Sequence, residues 1–118
     1  MLSSLTGRPV YLACGATDLR KAIDSLAALV QMAFQLDPCS PALFVFCNRD
    51  RNKLKILEWT DQGFWLHYFR VERGHFQWPA TGREVTQAIT ARQLQWLLDG
   101  LAVDQPLAHP PLGSRKVV

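Results

Sequence analysis

Leu43-Phe44-Val45-Phe46-Cys47, followed after the loop Asn48-Arg49-Asp50-Arg51-Asn52 and Lys53 by Leu54-Lys55-Ile56-Leu57-Glu58-Trp59, decides the fold. Both runs have strand length, and the polar loop between them is short enough for a hairpin. Thr60-Asp61-Gln62-Gly63 is a turn signal, and Phe64 to Glu72 reads as a third, longer strand. Arg73-Gly74 then turns the chain into Phe76-Gln77-Trp78, which Pro79 stops. Short strands joined in sequence by short turns predict an antiparallel meander, not a Rossmann-type alternation.

Upstream, Val10-Tyr11-Leu12-Ala13 is a short apolar run closed by Gly15, read as a strand entering a turn. Leu19, Ile23, Leu26, Val30 and Phe34 then recur at spacings of three and four, with Thr17 or Asp18 placed to cap the helix they predict. Asp37-Pro38 ends it, because the residue before proline is pushed out of helical geometry. Downstream, Thr90-Ala91-Arg92-Gln93 has the spacing of a capping box, Leu94, Leu97, Leu98 and Leu101 supply an apolar face, and Gly100 is placed as a C-cap. The expected architecture is α+β: an antiparallel meander of four to five strands, with one long helix and a short C-terminal helix on one face. Residues 1–103 form the expected single domain, and 104–118 an extended or disordered tail.

The composition excludes several classes. The stretches Ser25 to Asp37 and Pro38 to Asn48, uncharged but for the closing Asp37 of the first, are shorter than the roughly 20 apolar residues a membrane-spanning helix needs, so no membrane association is expected. The N-terminal residues lack a cationic region followed by an apolar one, which predicts a cytoplasmic protein without a signal peptide. Cys14, Cys39 and Cys47 form no C-x-x-C pair, so reduced thiols are expected rather than a disulfide framework or a zinc site.

Thirteen Lys and Arg against ten Asp and Glu give a formal charge of +3. Arg49, Arg51, Lys53 and Lys55 against Asp50 account for all of it, since nine basic and nine acidic residues remain. A hairpin that concentrates cations can present them to phosphates, or it can simply keep a turn soluble and a sheet edge unpaired. Aromatics from Trp59 to Trp78 interleave with His67, Arg70, Arg73 and His75, as in surfaces that stack bases. Alternation sends Phe64, Leu66 and Tyr68 to one face and Trp65, His67, Phe69 and Val71 to the other, so one set is core and the other is a candidate interface. Arg20 and Lys21, in the opening turn of the predicted helix after Gly15-Ala16-Thr17, suggest an anion site, with Asp18 competing for the free amides.

Catalytic patterns are missing. His67, His75 and His109 have no partner at ligand spacing, Ser25 and Ser40 lack a nucleophile-elbow setting, and no phosphate-cradling glycine loop occurs. Asp18, Asp24, Glu58 and Asp61 could be drawn into a two-metal cluster, yet capping, an exposed helix face, strand pairing and turn formation explain them. No enzyme activity, cofactor or metal is expected.

Tyr11 to Lys21, Leu26 to Val30, Leu43 to Arg49, Lys53 to Trp59, Gly63 to Leu66, Arg70 to Pro79 and Leu97-Leu98-Asp99-Gly100 together resemble the small accessory protein, TnpB, encoded by the second open reading frame of insertion sequences of the IS66 family. The resemblance runs from about Arg8 to Leu101. It departs at Phe69, where a basic residue is commoner, and over Thr81 to Ile89. It implies a protein of a mobile element that accompanies a separate DDE transposase, the latter performing the strand chemistry.

Two readings follow. In the first, a non-catalytic accessory protein contacts the DNA of the element, with Arg49, Arg51, Lys53 and Lys55 as phosphate anchors and Arg20, Lys21, Arg70 and Arg73 as secondary ones. In the second, an adaptor or homodimer binds the transposase or itself through an aromatic sheet face, with Trp65, Phe69 and Trp78 as anchors.

Overall fold

A computed structural model describes residues 7–105, so the expected tail lies, from residue 106 on, outside the described residues. The chain runs β1 (Val10–Ala13), α1 (Ile23–Met32), β2 (Leu43–Cys47), β3 (Lys53–Thr60), β4 (Gly63–Arg70), β5 (Thr86–Ile89) and α2 (Ala91–Leu98). The strands form one sheet in the order β4-β3-β2-β1-β5.

The hairpins read from the sequence are present: β2 pairs antiparallel with β3, and β3 with β4. Asn48 shapes the first connection, its side-chain oxygen accepting from the amides of Asn52 and Lys53 at 3.0 Å each. The purely antiparallel meander is corrected, because β1 lies parallel to β2, with Val10 opposite Leu43. The stretch between them carries α1, and parallel neighbours need such a long crossover. β5, for which no local pattern within Thr81 to Ile89 predicts an element, closes the far edge antiparallel to β1.

β2 is buried along its whole length, and alternation divides it between two cores. Leu43, Val45 and Cys47 pack with Leu94 and Leu97 of α2, while Phe44 and Phe46 pack with Leu26 and Val30 of α1. The helices therefore cover opposite faces, correcting the expectation of one face. They are also close in length, ten and eight residues, correcting the long and short pair.

α1 is shorter than its apolar periodicity because both ends are consumed by turns. It starts after Ala22, which makes no side-chain cap. At the other end Gln35 takes a left-handed φ of 55° and the amide of Leu36 bonds back to Val30 O, the geometry that stops a helix. Leu19 and Phe34 still pack on the core, but from outside the helix. For α2 the capping expectation holds: Thr90 and Gln93 form a reciprocal capping box, and Gly100 follows with φ 84°, whereas Leu101, expected on the apolar face, lies beyond the helix and is exposed.

Phe76-Gln77-Trp78 is not a strand. It is an irregular segment that packs over the α2-side core, with Phe76 2% and Trp78 7% exposed. The indole N–H of Trp78 donates to Ala13 O at 2.9 Å, so this segment is stapled to the end of β1. Trp78, one of the expected partner anchors, is thus buried in the core.

All three cysteines are free, with Cys39 exposed, Cys14 half-buried and Cys47 buried. Burial pushes the Cys47 thiol up to about 12, so almost no thiolate forms near neutrality. Titration with an aromatic disulfide at pH 8 is expected to modify Cys39 first, and Cys47 only once the protein unfolds. Equal rates for both would contradict the burial.

Candidate nucleic-acid interface

Because β1 and β2 are parallel, the C-terminal ends of β1, β2 and β4 and the N-terminal end of β3 meet at one end of the sheet. Three connections converge there: residues 14–22, 48–52 and 71–76. They are tied to one another. Thr17 N donates to Cys47 O at 2.8 Å, Val71 N to Asn52 O at 2.9 Å and Phe76 N to Arg51 O at 2.7 Å. His75 Nδ1 donates to Asp50 O at 2.8 Å, and the ammonium of Lys55 to Lys21 O at 3.1 Å.

These connections and the adjoining strand ends bring together all eight cations singled out in the sequence: Arg20, Lys21, Arg49, Arg51, Lys53, Lys55, Arg70 and Arg73. Only Asp18, Asp50 and Glu72 accompany them, so this corner holds eight cations against three carboxylates. Elsewhere among the described residues Arg8, Arg83 and Arg92 face seven carboxylates. The modest net charge of the chain therefore conceals a strong separation.

The cations are not equivalent. Arg20 pairs with Asp18, Nη2 to Oδ2 at 2.8 Å, and this hydrogen bonding holds the Asp18 carboxyl down at about 2. Asp18 Oδ1 also accepts from the Arg20 amide at 3.0 Å. Arg70 pairs with Glu72 at 2.9 Å. Arg49, Arg51, Lys53, Lys55, Lys21 and Arg73 have no carboxylate within salt-bridge distance among the described residues. Arg51 is placed by a left-handed turn, φ 57°, at the hairpin tip.

Lys53 and Lys55 leave β3 on the α1 side, opposite Arg70 and Tyr68 of β4. With Asp18, Leu19, Arg20 and Asn48 they line an open cleft of about 650 Å³. Tyr68, 58% exposed, lies with its ring 6.0 Å from the Lys55 ammonium, so an aromatic surface stands among the cations. A smaller recess of about 160 Å³ adjoins it, between Arg49 and Arg51 of the hairpin, Gly15-Ala16 and Trp78 to Ala80.

The anion site expected at the start of α1 is not assembled. Arg20 and Lys21 precede the helix, and Asp18 engages Arg20 rather than the helix amides. The close approach that Gly15 permits is used by the chain itself: Gly15 has φ 75°, and a Cβ there would lie 2.0 Å from Thr81 Oγ1. Trp65 and Phe69 stand on the opposite, α2 side of β4, 54% and 43% exposed. Neither aromatic set of β4 is fully buried, because β4 is an edge strand.

One cluster was missed by sequence reasoning. Glu58, 2% exposed, receives hydrogen bonds from Arg8 and, at 2.7 Å, from His67 Nε2. Burial pushes its carboxyl up, but these two partners outweigh burial and hold it below the ordinary value. The only hint in sequence was a carboxylate within an otherwise apolar run. Asp18 and Glu58 are thus each engaged in ion pairs, and no group of three or more His, Cys, Asp or Glu is placed to hold a metal among the described residues. Nor is any described helix long and apolar enough to cross a membrane.

Fold and surface together define a small α+β protein whose cations gather at one corner. A family model described as IS66 Orf2 like protein matches residues 8–108, and the chain belongs to that family, which is associated with transposition of insertion sequences. A similar protein is the uncharacterized protein y4hO of Sinorhizobium fredii, 42% identical over 103 residues that cover 86% of this chain and 87% of the relative. No solved structure matches.

Proposed function

We propose that the protein is a non-catalytic accessory factor that contacts the DNA of its insertion element through the cationic corner and assists a separate DDE transposase. The observation that carries this reading is the separation of charge: eight cations against three carboxylates on three mutually bonded connections and the strand ends beside them. Phosphates are held by such cations, and base identity is read by other contacts. Arg49, Arg51, Lys53 and Lys55 are the primary anchors, with Lys21 and Arg73 beside them. Arg20 and Arg70, already neutralised by Asp18 and Glu72, contribute less. Tyr68 offers a ring on which a base or sugar can rest.

With four phosphates neutralised, log affinity is expected to fall with log salt at a slope of about −3.6, and Arg49→Ala with Arg51→Ala to reduce that slope by about 1.8. Fluorescence anisotropy on a labelled duplex of element-end sequence measures both. Binding that ignores salt, or a double variant with the parental slope, overturns the reading.

The exposed Trp65 and Phe69 favour a second reading, an adaptor that engages the transposase through the aromatic side of β4. In that case Trp65→Ala abolishes co-purification with the transposase while the salt slope on DNA stays unchanged.

A further inference from the structure

β4 is an eight-residue edge strand whose pairing with β3 runs unbroken from Gly63 to Arg70. It contains no proline or bulge, and Trp65, Tyr68 and Phe69 stand exposed along it. Soluble proteins ordinarily protect such an edge, because a row of free amides beside apolar side chains is a template for another strand. The turn Asp61-Gln62 joins β3 to β4, so Thr60 and Gly63 form the hydrogen-bonded pair that closes the hairpin. Alternation from there aims the backbone groups of Phe64, Leu66, Tyr68 and Arg70 away from β3.

We propose that this edge pairs antiparallel with β4 of a second copy of the chain, about a two-fold axis perpendicular to the sheet at His67, to give one continuous sheet. Self-complementarity supports this occupant. The axis sets Trp65 opposite Phe69 of the second copy, and Phe69 opposite its Trp65, so both exposed rings of the α2 side become cross-strand aromatic pairs. On the other side Tyr68 meets Leu66 of the second copy, and Arg70 meets the ring of its Phe64. The outward backbone groups fall opposite one another in the same register, Phe64 with Arg70 and Leu66 with Tyr68. A register one residue away, centred on Leu66, pairs Phe69 with Gly63 and leaves its ring without an aromatic partner.

Charge selects the same orientation. Antiparallel pairing carries the cationic end of each strand, at Arg70, toward the Asp61 turn of the other copy, and a parallel arrangement would bring the two cationic corners together. This pairing buries neither Arg49 nor Arg51, but it sets Tyr68 and Arg70 against the second copy, so DNA contact in the dimer rests on the remaining cations of the corner.

Sedimentation equilibrium of the full chain without DNA tests it. The expected result is twice the 13.4 kDa chain mass at micromolar concentration. Phe69→Glu places a carboxylate against the negative face of the Trp65 ring and is expected to raise the dissociation constant about tenfold or more, with an unchanged far-ultraviolet spectrum. In a Cys39→Ser background, Trp65→Cys and Phe69→Cys chains mixed under mild oxidation should cross-link to each other, while neither alone does so. A monomer at 100-fold higher concentration than about 1 μM, a dimer indifferent to Phe69→Glu, or cross-linking equal in the single and mixed samples overturns the proposal. DNA affinity, measured separately by anisotropy, distinguishes failure of this pairing from failure of the DNA reading.

Discussion

Trp78→Ala is expected to cost about 3–5 kcal/mol of unfolding free energy, the range for removing a large buried aromatic. The indole is 7% exposed, sits in the core beneath α2, and donates to Ala13 O. Truncation therefore leaves both a cavity and a carbonyl that has lost a side-chain donor. The loss should also reach the surface, since the backbone beside this residue holds the end of β1: Pro79 O accepts from Gly15 N at 2.9 Å. Trp78→Phe separates the two contributions, because it keeps most of the volume and is expected to cost about 1 kcal/mol from the missing hydrogen bond. Urea unfolding followed by circular dichroism gives both values. A Trp78→Ala variant within about 1 kcal/mol of the parent would show that the indole is not a core residue.

Arg8→Met should be nearly as damaging, at about 3 kcal/mol near neutral pH, because removing one partner of a buried ion pair leaves the other charge uncompensated. Arg8 is 18% exposed and loses little itself, whereas Glu58 at 2% has no solvent to turn to. The effect has a signed pH dependence. In the parent, the folded-state value of Glu58 lies below its unfolded value, so its ionised form contributes stability above the unfolded value, and this is lost as pH falls through the folded one. Without Arg8, burial is opposed by His67 alone and the folded-state value rises. The carboxyl then takes up a proton earlier on acidification, and the deficit of the variant shrinks as pH falls through this raised value toward the folded-state value of the parent. Parallel denaturation curves at neutral and acid pH test this. A deficit that is constant, or that grows toward acid, would contradict the triad.

The two predictions concern residues that the sequence placed differently. Trp78 stood in a row of aromatics and cations and looked like a surface anchor, although it is surrounded by the core. Glu58 looked like one member of a cross-strand pair, although it is the buried centre of a triad joining Arg8 and His67, fifty and nine residues away. In both cases the deciding partner is distant along the chain, and no local pattern records it.

Local patterns did determine a great deal. Strand length, turn residues and alternation located β1 to β4, and a hydroxyl three residues before a glutamine located the start of α2. A charge count located the cationic hairpin. These features depend on interactions within a few residues, where spacing alone decides which groups meet. What tertiary structure alone decided was the pairing of remote segments: β1 parallel to β2, β5 added beyond β1, and the helices on opposite faces. That topology brings residues 14–22 to the hairpin loop, beside which β3–β4 pairing already sets the end of β4 and residues 71–76, turning a run of four cations into a corner of eight. The reason is energetic. A chain commits to remote pairings through burial shared among several segments, and the apolar faces of β2, equally buried on both sides, permit more than one arrangement until the remaining elements cover them.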